Sequence, residues 1–286
     1  MRSRRARGHA PSAPSRGAGF AWPERPKLES LFHFAWPVSL AVGLTWIQSQ
    51  GYRFVIESKL GAEQVGFFVA GYVVSSGIMT SFEAVMHAYF LPSFYSNVSK
   101  GEAAQSSAWN DYAAAVFPAY LLTAAFMAAF AAPLSVILLG PKFHDVAIFT
   151  AIAALTEAAR AISGAYALIA HAKMRTQLLV LPAGLGAILA LALVPLMTNQ
   201  FGLVGTGWAL ALSGWAVVVF MHVRMTHLVS IDLPFSRMGV AIIGGAVLAL
   251  VAYWAGIPTW IPSVLGNAVL VVGLALSNLL QAVSEL

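Results

Sequence analysis

The hydrophobic pattern divides the chain into long apolar segments separated by short polar breaks. A helix that spans a membrane needs about 20 mostly apolar residues, and segments of that length follow one another from residue 31 onward. The connections carry glycines and prolines, which end helices. We therefore predict an all-α fold, a polytopic transmembrane helix bundle of about eight transmembrane helices. The predicted segments are 31–57, 64–94, 109–138, 146–171, 177–198, 204–228, 237–255 and 261–283.

Composition supports lipid as the solvent of this chain. Hydrophobic residues make up 59% and charged residues 9% of the sequence, whereas a soluble domain carries roughly 25% charged residues. Cysteine is absent, which excludes disulfides and thiolate metal sites. Walker, HExxH and GxSxG motifs are also absent, and the histidines are scattered. We therefore expect neither an enzyme nor a metal or cofactor site, apart from coupling to protons or sodium ions.

Basic residues predict the orientation. Residues 1–27 hold seven of the sixteen Lys and Arg residues among Gly, Pro and Ser, which predicts a disordered cytoplasmic tail. An inside N-terminus places Lys100, Lys173, Arg175, Arg224 and Arg237 in inner loops and leaves only Lys59 and Lys142 in outer loops, with Arg53 close to the outer side. This bias fits the positive-inside rule. We expect a multi-pass protein of the cytoplasmic (inner) membrane with both termini cytoplasmic, and the basic residues then give no reason to expect nucleic acid as a partner.

Several tryptophans lie near predicted helix ends. Trp and Tyr are enriched at membrane–water interfaces, so we interpret these residues as an interfacial belt. They are Trp22, Trp36, Trp109, Trp254 and Trp260.

Charged residues inside a membrane are costly and usually face a partner or water. Glu83, in the second segment, belongs to a polar stripe with Ser76, Thr80 and His87. No basic residue on the same helix can pair with it. We expect water, a partner from another helix, or a proton, the alternative being a neutral carboxyl group in a helix interface.

Two further groups of charged residues fall within or beside predicted spans. Glu157 and Arg160 share a face of the fourth segment and form either a structural pair or a cationic lining for an anionic substrate. At the outer end of the first segment, Arg53 and Glu57 are four residues apart and are expected to pair.

The inner end of the fourth segment is basic. Lys173 and Arg175 lie there. They are either ordinary positive-inside charge or a site for lipid phosphate.

Two stretches resemble a known family. The first, residues 32–72, reads FHFAWPVSLAVGLTWIQSQGYRFVIESKLGAEQVGFFVAGY; it has a Pro at the start of a helix, an Arg near its outer end and V-G-F-F-x-x-x-Y at the next helix. The second, residues 137–177, contains "LLGPKF" and ends "AHAKMRTQ", and residues 193–215 follow with "P…FGLVGTGWA". Together they resemble the polysaccharide exporters (O-antigen-type flippases) of the multidrug/oligosaccharidyl-lipid/polysaccharide superfamily, which is related to drug/cation antiporters of the MATE type.

The resemblance implies an architecture larger than this chain. Family members have two six-helix bundles around a central cavity, often with two added C-terminal helices, and work by alternating access. The motifs match the start of the second bundle, so the resemblance implies a basic tail (1–27), one six-helix lobe (28–228) and two additional helices (229–286). The first bundle would come from a separate partner or from self-association, unless the chain is a fragment.

The resemblance also implies a substrate, a polyprenyl-pyrophosphate glycan such as an O-antigen or lipopolysaccharide precursor. Only Arg53 matches a family motif, and the acid that often precedes it is replaced here by Tyr52. A MATE-like antiporter lobe, and a scaffold or remnant in a glycan-synthesis membrane complex, are the alternatives. We predict Arg53, Arg160, Tyr52 and Gln48 as substrate-binding residues and Glu83, Glu157 and Glu57 as ion-coupling residues. Arg53 is carried over from the family motif, whereas Arg160, Glu83 and Glu157 are inferred from their depth and charge.

Overall fold

A computed structural model describes residues 25–256, and every regular element in that range is helical. The predicted eighth segment, residues 1–24 and two of the tryptophans, Trp22 and Trp260, lie outside it. α1 begins inside the predicted basic tail. Short 3₁₀ turns occupy Pro141–Val146 and Thr176–Leu179. The helices are α1 (Arg25–Gln50), α2 (Tyr52–Leu60), α3 (Ala62–Val98), α4 (Glu102–Ala129), α5 (Ala131–Leu139), α6 (Ala147–Ala172), α7 (Val180–Met225) and α8 (Phe235–Trp254).

Five described helices are long and apolar enough to cross a membrane. They identify a multi-pass membrane protein; the count of about eight spans stays a prediction. The segment containing α1 is not among the five. The five helices cover Ala62–Val98, Glu102–Ala129, Ala147–Ala172, Thr176–Met225 and Phe235–Trp254.

α7 is a hairpin of two antiparallel arms. Gly202 lies between them with φ 60° and ψ −142°, a backbone conformation open mainly to glycine. The Thr198 and Thr206 hydroxyls, eight residues apart, are hydrogen-bonded at 2.7 Å, whereas eight residues of straight helix span about 12 Å. The predicted segments 177–198 and 204–228 are therefore separate arms that meet at Gly202.

Two segments that were predicted as single helices are each broken. Segment 31–57 divides at Gly51, where an added Cβ would lie 2.5 Å from the Ile47 carbonyl oxygen. Segment 109–138 divides at Phe130, whose φ of −105° and ψ of 23° are not helical. Pro133 explains the second break, because a proline ring clashes with the carbonyl group four residues earlier, here that of Ala129.

α6 occupies the centre of the bundle and packs against α3, α4 and α7. About two-thirds of its most apolar stretch is buried. Gly71 of α3 lets the helices approach closely, since a Cβ there would lie 2.7 Å from the Val146 carbonyl oxygen. Next to this contact, the Thr150 hydroxyl donates to the Gly71 carbonyl (2.9 Å) and the Ser75 hydroxyl donates to the Thr150 carbonyl (2.7 Å). Small and hydroxyl residues thus hold α3 against α6.

The basic residues predicted for the inner loops share one end of the bundle, which we call the basic face. It comprises the connections 99–101, 173–175 and 226–234 with the adjoining helix ends. The Lys173 ammonium pairs with Glu102, and the Asn110 amide donates to the Ser230 carbonyl at 3.0 Å. At the opposite end, the Lys59 ammonium donates to the Asn199 side chain at 2.6 Å. The basic residues predicted for the inner loops therefore lie at one end of the folded bundle, and Lys59 lies at the other.

The interfacial-belt prediction is wrong for Trp109. Its ring is fully buried, donates to the Ala165 carbonyl at 3.0 Å and packs 5.2 Å from the Tyr166 ring. Trp36 and Trp254 are exposed on the bundle surface, as the belt requires.

Candidate binding pocket and ion cluster

A polar pocket of about 250 Å³ lies between the α1–α2 break, α3 and α6. α1 does not pack closely against α3, which leaves room for the pocket between them. The break at Gly51 turns the start of α2 toward α3 and brings Tyr52 and Arg53 into the lining. The lining residues are Ser49, Gln50, Tyr52, Arg53, Val69, Tyr72, Val73, Ser76, Thr80, Glu157 and Arg160.

An ion cluster forms the inner wall of the pocket. The Arg160 guanidinium contacts two carboxylates, with Nη1 2.9 Å from Glu83 Oε2 and Nε 2.7 Å from Glu157 Oε2. Arg160 and Glu157 come from the middle of α6 and Glu83 from the middle of α3. The predicted Glu157–Arg160 pair therefore forms, and the partner that Glu83 needed is an arginine on another helix. His87, one turn along α3, lies 3.9 Å from Glu83.

The cluster is not cationic. Counted at formal charge, one guanidinium between two carboxylates leaves one negative charge uncompensated. The Glu157 and Glu83 side chains are only 3% and 12% exposed, so water screens that charge weakly. Arg160 therefore has little positive charge to offer an anion, and the charge of the cluster favours a cation.

Arg53 is the exposed cation of the pocket. Its guanidinium lies 5.9 Å from the centre of the Tyr52 ring and makes no ion pair with a described residue. The predicted Arg53–Glu57 pair is wrong: both side chains are exposed, and no ion pair joins them. Apart from its interactions with Tyr52, Arg53 has donors left for a ligand that enters the pocket.

Aromatic rings shape the wall beside Arg53. The Tyr52 ring packs edge-to-face on Phe68 at 5.1 Å and lies 6.1 Å from Tyr72. Tyr72 also interacts electrostatically with Glu157. The rings therefore connect Arg53 to the ion cluster along one continuous surface.

Besides Glu83, which contacts the lining residue Arg160, the predicted substrate-binding and ion-coupling residues outside the pocket lining are Gln48 and Glu57. Gln48 faces the α7 hairpin, where its amide donates to the Ser213 hydroxyl at 3.5 Å and its side chain occupies the space that a Cβ at Gly186 would need. Glu57 is exposed farther along α2.

The predicted lipid-phosphate residues lie apart from the pocket, on the basic face. Lys173 is engaged by Glu102, and Arg175 is exposed. The structure thus separates these two residues from the substrate-binding and ion-coupling candidates.

The sequence interpretation did not identify Tyr72 as a residue that lines the pocket. This residue ends the V-G-F-F-x-x-x-Y motif, so its position was visible in the sequence, but its approach to Glu157 depends on the packing of α3 against α6.

Within residues 25–256, no group of three His, Cys, Asp or Glu side chains is placed to hold a metal ion.

Comparison with known proteins gives one match. The family described as "Polysaccharide biosynthesis protein" matches residues 21–148, which include α1 to α5 with Arg53 and Glu83 but not Glu157 and Arg160. Over those residues the match supports the polysaccharide flippase family that the sequence motifs resemble. The MATE-like superfamily and the assignment to a C-terminal half stay predictions. No curated protein and no solved structure matches the chain.

Proposed function

We propose that this chain is one lobe of a flippase that moves a polyprenyl-pyrophosphate glycan across the cytoplasmic membrane by alternating access. The observation that supports this most is the pocket, in which an exposed arginine and a buried ion cluster lie side by side in an otherwise apolar bundle. The match of residues 21–148 to a polysaccharide biosynthesis family supports a glycan as the class of substrate. The protein is then a transporter rather than an enzyme.

In this proposal Arg53 holds the pyrophosphate. A guanidinium presents donors in a fork that matches phosphate oxygens, and Arg53 is not neutralised by a described acid. Ser49, Gln50 and Thr80 supply hydrogen-bonding groups of the kind that sugar hydroxyls need. Tyr52 and Tyr72 supply ring faces for sugars. Arg160, held by two carboxylates, positions α3 against α6 instead of binding the anion.

The ion cluster supplies the coupling. Its uncompensated negative charge accepts a proton or a sodium ion at Glu83 or Glu157. Neutralising Glu83 loosens its contact with Arg160, which joins α3 to α6 next to the pocket, whereas neutralising Glu157 loosens a contact within α6. The missing wall of the cavity comes from a separate first-half partner or from a second copy of the chain.

Replacement of Arg53 tests the proposal in cells. A strain lacking the gene is complemented with the wild type, Arg53→Gln or Lys59→Gln, at equal protein levels. Lys59 is the matched control, because it lies on the same helix as an exposed cation outside the pocket. We expect Arg53→Gln to lower surface polysaccharide about tenfold or more, as expected for the loss of a charge-assisted hydrogen bond, while lipid-linked glycan accumulates on the inner leaflet. Normal export by Arg53→Gln would contradict the proposal.

A MATE-like cation antiporter lobe is the second candidate, because the ion cluster is net negative. In that case the carboxylates bind the substrate. Glu83→Gln would then abolish resistance to a cationic drug while Arg53→Gln preserved it, and surface polysaccharide would not change in either variant. A non-transporting scaffold predicts that neither substitution affects export once assembly is intact.

A further inference from the structure

A second cavity, of about 510 Å³, lies between α4 and α8 on the side of the bundle away from the polar pocket. Its lining is almost wholly apolar and contains a single charged residue, Arg237. The lining residues are Pro118, Ala119, Leu122, Ser236, Arg237, Val240, Ala241 and Gly244.

The crevice runs along the two helices between the Gly245 contact and the basic face. The two helices touch at Gly245, where a Cβ would lie 2.5 Å from the Ala125 Cβ. The α8 residues that line the crevice run from Gly244 back to Ser236, over eight residues or about 12 Å. Val240 on the rim is exposed. The crevice thus has the length and apolar wall for the upper part of one acyl chain.

Pro118 explains why Arg237 lies at the end of the crevice nearest the basic face, because it frees a carbonyl group that Arg237 can contact. Proline has no N–H and leaves the carbonyl group four residues earlier without its helical partner; here that carbonyl belongs to Ala114. The Arg237 Nη1 donates to the Ala114 oxygen at 3.4 Å. One long contact uses only part of the donor capacity of a guanidinium, and Arg237 is exposed, so its other donors can bind a phosphate.

We propose that the α4–α8 crevice binds an anionic phospholipid, with one acyl chain against Ala241 and Gly244 and its phosphate on Arg237. This site is independent of the proposed transport function. Arg237 lies on the basic face, at the level where lipid headgroups meet a spanning helix, and basic pockets between transmembrane helices on the cytoplasmic side commonly bind anionic headgroups. A crevice about 12 Å long fits the upper part of a straight acyl chain better than a long branched polyprenyl tail.

Native mass spectrometry of the full-length protein in mild detergent tests the site. Phosphatidylglycerol and phosphatidylethanolamine are offered in equal amounts to the wild type and to three variants. Arg237→Gln removes the charge, Val240→Trp fills the crevice from its rim without touching the Gly245–Ala125 contact, and Lys100→Gln removes an exposed charge on the same face outside the crevice. Gly244→Leu is a second filling variant.

We expect the wild type and Lys100→Gln to retain phosphatidylglycerol over phosphatidylethanolamine. Arg237→Gln should lower phosphatidylglycerol retention about tenfold, the effect of one charge-assisted phosphate contact, and the filling variants should lose both lipids. Equal retention of the two lipids by the wild type, or an equal drop in Lys100→Gln, would overturn the assignment. So would unchanged retention in both filling variants, which would mean that another part of the chain occupies the crevice. Displacement by polyprenyl phosphate at equal concentration would overturn the choice of phospholipid.

Discussion

Removing Arg160 should destabilise the bundle far more than removing either of its acidic partners. Arg160→Met leaves two largely buried carboxylates, and the only other described cation within ion-pair distance of either is His87. Breaking a buried ion pair from one side costs about 3–5 kcal/mol. Because the Arg160 side chain is 39% exposed, the lower end, about 3 kcal/mol, applies. Glu83→Gln instead leaves one guanidinium facing one carboxylate, a balanced pair, and should cost about 1 kcal/mol or less.

A charge-balanced variant separates this electrostatic effect from a packing effect. Arg160→Met combined with Glu83→Gln and Glu157→Gln removes all three charges and should recover most of the loss. Thermal unfolding of detergent-solubilised protein measures the differences, and about 3 kcal/mol corresponds to roughly 6–12 °C in a domain of this size. The reasoning is refuted if Arg160→Met is no less stable than Glu83→Gln, or if the triple variant is as unstable as Arg160→Met.

Two further predictions use the same unfolding assay. Gly71→Ala should destabilise the fold by about 1–3 kcal/mol, because its Cβ would lie 2.7 Å from a backbone oxygen. Gly77→Ala, on the same helix, is the control: its Cβ would have nothing within 4 Å, so it should be neutral or stabilising. Equal effects of the two substitutions would argue against the close α3–α6 contact. Trp109→Phe should cost about 1 kcal/mol of stability, because it keeps an aromatic ring but loses the hydrogen bond to Ala165. Trp36→Phe, at an exposed position, should leave stability unchanged. A loss of stability in the residue 36 variant but not in the residue 109 variant would contradict the packing described.

The hydrophobic pattern predicted the helices well where each helix had a clear end. Gly202 and the polar residues around it separated the two arms of α7 correctly, because glycine allows the required backbone turn. The breaks at Gly51 and Phe130 were missed because apolar residues continue through both, so hydropathy alone reads each as one span. The Pro133 signal was present, but a proline inside an apolar run predicts either a kink or a break.

The charged residues in predicted spans led to the candidate pocket, whereas their spacing along the sequence did not predict all of their ion pairs. Glu83, Glu157, Tyr52, Arg53 and Arg160 converge on one pocket or its inner wall. Spacing along one helix predicted the Glu157–Arg160 pair correctly and an Arg53 pair incorrectly. Contacts between helices, such as Glu83 with Arg160, depend on which helices are neighbours, and that information is not present in any single segment.

The wrong prediction for Trp109 has the same cause, because the contacts of its side chain depend on a neighbouring helix. Its position near a predicted helix end suggested a lipid interface, but α4 begins at Glu102, so Trp109 lies about two turns inside the helix. The direction of its side chain depends on α6, whose small residues leave room for the ring and expose the Ala165 carbonyl to its N–H.

The most direct test of the central claim, that Arg53 binds the phosphate of a translocated lipid, is a leaflet-resolved transport measurement. Everted membrane vesicles containing the chain and its native partners receive a fluorescent polyprenyl-pyrophosphate glycan on their outer surface, and a membrane-impermeant quencher reports the fraction that has moved inside. The account predicts movement with the wild type and with Lys59→Gln, and little movement with Arg53→Gln. Equal movement with Arg53→Gln and the wild type would contradict it.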